Sequence, residues 1–105
     1  MSEEISRLLN EGIAAARAGD KARAKHLLIE VTGRDERNEQ AWFWLSGVVD
    51  DLEEMRICLE NVLAINPGNE RARQGLAWVQ GRLAERAQEE IPSIEEQIAI
   101  PIPPP

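Results

Sequence analysis

The chain has 105 residues, 43% of them apolar and 30% charged, which suits one soluble domain with a modest core. Ala, Leu, Glu and Arg dominate, while Tyr is absent and Phe occurs once, so a β-rich fold has little to build with. The formal charge of −7 and the lack of a basic cluster argue against nucleic acid as a partner.

All 12 basic residues fall in residues 1–87, whereas the last eighteen or so positions hold Glu89, Glu90, Glu95 and Glu96 and no base. The acidic excess therefore lies mainly in the tail and serves solubility. Cys58 is the single cysteine, so no intrachain disulfide is expected. No stretch approaches the roughly 18 apolar residues of a membrane span. The start, Met1-Ser2-Glu3-Glu4, is acidic and unlike a signal peptide. A cytoplasmic protein, or a cytoplasmic part of a longer one, is the expectation.

Apolar spacing predicts five helices. The first covers about 3–18, with Ile5, Leu8, Leu9, Gly12, Ala15 and Ala16 on one stripe and Gly19 as its stop. Asp20 caps the second, which turns Ala24, Leu27, Leu28 and Val31 inward and stops near Thr32-Gly33. The third runs from about Glu39 to Val49, with Ala41, Trp42, Leu45, Val48 and Val49 inward. Asp50 or Asp51 caps the fourth, with Glu53 or Glu54 completing a capping box. Its face is Leu52, Met55, Leu59, Val62 and Leu63, and Asn66-Pro67-Gly68-Asn69 ends it. The fifth runs from about Glu70 to Ala87, with Ala72, Leu76, Val79 and Leu83 inward.

Beyond Ala87 the composition shifts. Five of the six prolines lie at 92, 101, 103, 104 and 105, and the stretch 100–105 favours an extended polyproline conformation. Residues 1–87 are expected to form the helical domain and 88–105 an acidic, Pro-rich flexible tail or linker. Stopping inside a proline run suits a piece of a longer protein.

Val31 to Glu39 and Val62 to Glu70 correspond at a constant offset of 31 residues. Helical hairpins repeating at about 20–50 residues signal a solenoid, in which each hairpin needs a neighbour over its apolar face. In Leu8, Gly12, Gly19 and Ala24, then Trp42, Leu45, Ser46 and Pro67, then Leu76 and Ala77, the chain resembles the tetratricopeptide repeat family over about residues 4–87. It departs from that pattern at Glu36, where the closing Pro belongs, at Arg73, in a large-residue place, and at the glycine-free, shortened turn of the second hairpin. The resemblance implies an all-α fold of antiparallel helical hairpins, stacked as a short right-handed solenoid of about two and a half repeats, with the fifth helix as its polar cap. Small residues at Gly12, Ala24 and Ser46 would let helix axes approach closely.

The resemblance also implies a concave groove that holds a peptide. Carried over to this sequence, its positions are Leu9 and Ile13, then Gln40, Phe43, Trp44 and Gly47, then Arg71, Gln74 and Trp78. Trp42, Phe43 and Trp44 are about 100° apart on a helix and cannot all face one way. Phe43, Trp44 and Trp78 either line the groove or are covered by neighbouring helices. No chaperone carboxylate clamp is expected, because Leu9, Ile13, Trp44 and Gly75 stand where Lys and Asn belong and only Arg71 is basic.

Little else points to chemistry. His26 and Cys58 lie on different helices and no motif links them, so neither a metal site nor catalysis is expected. The acidic run Asp50-Asp51-Leu52-Glu53-Glu54 reads as capping rather than cation binding. No cofactor is implied. The expected partner is a protein or peptide, with neither nucleic acid nor membrane, and the chain is a monomer or weak homodimer. The competing roles are a self-association scaffold, with the tail docking in the groove as a variant, and a regulatory domain within a larger protein.

Overall fold

The computed structural model describes the backbone of residues 2–99 and the side chains of residues 2–88. Five helices follow one another: α1 (Glu3–Arg17), α2 (Lys21–Arg34), α3 (Glu39–Val48), α4 (Leu52–Ile65) and α5 (Glu70–Ala99). There is no strand among the described residues. Packing follows chain order, each helix lying against the next, and α1 also touches α3.

The turn between α1 and α2 is set by Gly19. Its φ of 83° is in the left-handed region, which costs glycine nothing. The Gly19 N–H donates to Ala16 O at 3.1 Å and the Asp20 N–H to Ala15 O at 2.9 Å, satisfying carbonyls that the helix end leaves free. Asp20 then begins α2, its Oδ1 accepting from the Arg23 N–H at 3.2 Å. Close approach between these helices is made at Gly12. A Cβ there would stand 2.9 Å from Leu28 Cδ2.

The second helix passes the expected stop at Thr32-Gly33 and ends at Arg34. Thr32 folds its hydroxyl back onto Ile29 O at 3.0 Å, and the helix closes only when Asp35 leaves helical geometry. Arg34 holds this last turn to its surroundings, through Glu4 at 2.8 Å and Glu30 at 3.4 Å.

The 31-residue offset is repeated in hydrogen bonds. The Asp35 N–H donates to Val31 O and the Asn66 N–H to Val62 O, both at 2.8 Å. Asn38 Oδ1 caps Ala41, and Asn69 Oδ1 caps Ala72, both at 3.0 Å. Trp42 Nε1 donates to Glu36 O at 2.9 Å, while Arg73 Nη2 donates to Pro67 O at 2.7 Å. The two joints, α2 to α3 and α4 to α5, are thus one structure written twice. The residues that depart from the repeat pattern, Glu36 and Arg73, serve through a main-chain carbonyl and a side-chain donor.

Two expected features differ. Asp51 stands at the start of α4, but its carboxylate makes no cap bond and the capping box is not formed. The acidic run is drawn to basic neighbours instead: Asp50 to Lys21 and Glu54 to Lys25, each at 3.6 Å, and Glu53 to Arg56 at 2.8 Å. The fifth helix does not end near Ala87 but runs to Ala99. Gln88 to Ala99 is itself rich in Glu, Gln and Ala, which favour helix, and Pro92 forfeits one helical N–H. The helix therefore crosses the composition shift, while the polyproline reading of 100–105 falls outside the described residues.

The core has two parts. One joins α1 to α4 around Leu9, Leu28, Val31, Ala41, Leu45 and Cys58, and the other joins α4 to α5 around Leu59, Val62, Ala72 and Val79. Trp42 and Met55 pack against both and link them. Among the described residues, no helix is long and apolar enough to cross a membrane.

Candidate functional site

The odd-numbered helices meet around a hollow of about 330 Å³. From α1 come Ile13 and, one turn on, Arg17; from α3 come Glu39, Gln40, Phe43 and Trp44; from the start of α5 come Asn69 and Arg71. Gln40 and Arg71 hold equivalent places in the two 31-residue segments.

Phe43 and Trp44 are each half-buried. Phe43 packs on the α4–α5 core and Trp44 on the α1–α4 core, so one side of each ring belongs to the fold and the other lines the hollow. The Arg17 guanidinium carbon lies 5.4 Å from the Trp44 ring centroid, a cation–π distance. Glu39 Oε2 accepts from Asn69 Nδ2 at 2.7 Å and from Asn66 Nδ2 at 3.0 Å. Asn69 therefore caps α5 with one side-chain atom and holds α3 with the other, which places Arg71 relative to Gln40.

Ile13, Gln40, Phe43, Trp44 and Arg71 among the expected groove positions are brought together here. Leu9 is not, being 6% exposed and part of the core under Trp44. Gln74 and Trp78 are exposed farther along α5, and Gly47 is exposed off the hollow. Arg17, Glu39 and Asn69 were not expected. The spacing of Arg17, four residues after Ile13, carried the signal for the first. Other hollows lie on the polar outer side of α1 and between the ends of α2 and α4, but neither joins three helices.

His26 is exposed on α2, whereas Cys58 is buried on α4. Among the described residues, no group of three His, Cys, Asp or Glu is placed to hold a metal ion. Burial first, then the Glu54 carboxylate, pushes the Cys58 thiol up to about 11, against a smaller opposing effect of Lys25. Native protein at pH 8 should react slowly with a thiol reagent, and unfolded protein rapidly. The sign of the linkage follows from a raised folded value. The contribution is complete below the unfolded value of about 8.5 and is lost as pH climbs towards 11. The urea midpoint should fall over that alkaline window, and Cys58→Ala should flatten the fall. Rapid native labelling would contradict the burial.

Compared with known protein families and with curated proteins, the chain matches none.

Proposed function

We propose that this chain is a protein-interaction module of tetratricopeptide-like hairpins, and that the hollow across α1, α3 and α5 receives a segment of a partner protein. The observation that carries the reading is the convergence of Ile13, Phe43 and Trp44 with Gln40, Arg17 and Arg71 from three helices on one hollow. Half-buried aromatics and Arg are the residue types that anchor interfaces. The duplicated joint supports the repeat reading, since the same bonds set the same hairpin-to-hairpin step. The module acts by binding rather than catalysis, in a cytoplasmic setting where a lone buried thiol persists. Within a longer polypeptide it would serve as a regulatory domain.

The test is selection from a displayed peptide library, followed by titration of the 15N-labelled protein. Selected peptides should shift Phe43, Trp44 and the Trp44 indole signal. Trp44→Ala should weaken binding by about tenfold or more, as removal of an interface anchor does. Binders that shift other surfaces and leave Trp44 unmoved would overturn the reading. Self-association is favoured by a different observation: Trp78 is 59% exposed, and Ile29 and Ile57 are each 48% exposed, all outside the hollow. A mass that rises with concentration would move that reading to first place.

A further inference from the structure

We infer that the hollow selects an acidic peptide segment, an apolar or aromatic residue flanked by Asp or Glu, with Arg17 and Arg71 as the groups that recognise the carboxylates. The inference rests on the reading that the hollow receives a protein segment, and adds the chemistry of that segment.

The chain carries 19 acidic residues, so carboxylates are not scarce. Arg34, Arg56, Arg73 and Arg82, on other faces, all pair with them. Among the described residues, neither Arg17 nor Arg71 is within ion-pair distance of any carboxylate. Both line the same hollow, one contributed by α1 and the other by α5. The single carboxylate in the lining, Glu39, already accepts two amide hydrogens on its Oε2. Stacking on Trp44 holds the Arg17 guanidinium plane and leaves its N–H edges for a ligand, so little freedom is lost when a carboxylate docks. The first turns of α3 and α5, at Glu39-Gln40 and Asn69 to Arg71, add the partial positive charge of helix N-termini to the same rim.

Between the two guanidiniums lie Ile13, Phe43 and Trp44, which suit an apolar side chain. A basic peptide would meet two unpaired cations. A polyanion such as nucleic acid would match the hollow but meet a surface of net charge −7 around it. A short acidic segment satisfies both conditions.

The experiment uses the full chain and two capped, fluorescein-labelled octapeptides. One has Phe and Leu between two pairs of Glu, and the other carries Gln in place of every Glu. Charge-assisted hydrogen bonds should make the acidic peptide bind about ten- to a hundredfold more tightly by anisotropy, with Trp44 signals shifting. In the double variant Arg17→Gln/Arg71→Gln the gap should shrink to about threefold or less, while the Gln peptide keeps its affinity. Both positions are exposed, so the fold is retained, with circular dichroism as the control. Equal affinity of the two peptides with Trp44 shifts would overturn the inference and leave the binding reading standing. The same holds if neither binds but library peptides of other character shift Trp44. If no peptide shifts Trp44, both fall. Tighter binding of a single-stranded oligonucleotide than of the acidic peptide would also overturn the inference.

Discussion

Leu28→Ala lowers the unfolding free energy by about 3 kcal/mol, read from urea titration of the helical circular dichroism. Leu28 has no exposed surface and sits where α2 meets α1 and the rest of the first core. Truncation removes apolar contacts and leaves a cavity that rigid neighbours fill only partly. A loss that size is a large share of the roughly 5–15 kcal/mol that holds a domain together. Its partner position gives a sharper test. Gly12→Ala gains about 1 kcal/mol of helix propensity, but its Cβ would stand 2.9 Å from Leu28 Cδ2 and 3.0 Å from Leu28 Cγ. Overpacking of that kind costs about 1–3 kcal/mol, so the single variant is destabilised or neutral. In the Leu28→Ala background the clashing atoms are gone, and the same substitution should become stabilising. A double-mutant cycle with no coupling would mean that α1 and α2 do not meet at this pair.

Asn38→Ala should cost about 2 kcal/mol, well above the ordinary loss of a helix cap. Asn38 is 5% exposed, and its Oδ1 accepts from the N–H of Ala41, which has no exposed surface. Alanine leaves that N–H buried without an acceptor, and water cannot replace the lost oxygen. The contrast is Ser2→Ala. Ser2 makes the corresponding bond to the Ile5 N–H at 3.1 Å, but in an exposed setting, so its loss should cost about 0.5–1 kcal/mol. Thermal melts of the two variants compare them directly. Equal shifts would show that burial adds nothing to the cap.

The helices and their inward faces were legible because apolar spacing and turn residues act locally. Gly19 ends α1 and Asp20 begins α2 as their chemistry requires. Ala24, Leu27, Leu28 and Val31 are buried as the stripe predicts. The misses arose where a local rule competed with a neighbour. Gly33 looked like a stop, but Arg34 is anchored to Glu4 on another helix. Asp51 looked like a cap, but Lys21 and Lys25 on α2 engage the carboxylates beside it. Prolines in the tail outweighed its Glu and Gln content in the reading, though not in the backbone up to Ala99.

The hollow was half legible for a similar reason. Positions carried over from a repeat pattern state which helix faces inward, and that located Ile13, Gln40, Phe43, Trp44 and Arg71. Burial of Leu9 depends on how deeply α1 sinks against its neighbours, which no pattern of one helix encodes. Arg17 over Trp44, and the Glu39 carboxylate between Asn66 and Asn69, depend on distances between helices.

The joint in which Trp42 reaches Glu36 O and Arg73 reaches Pro67 O has a consequence for descent. Its acceptor is main chain, which every residue supplies, and its donor need only be an N–H at the right reach. An indole and a guanidinium fill one role, as do a glutamate and a proline. Geometry can thus be inherited while letters drift, so an ancestral duplication could persist as a bend in space long after its spelling has been erased.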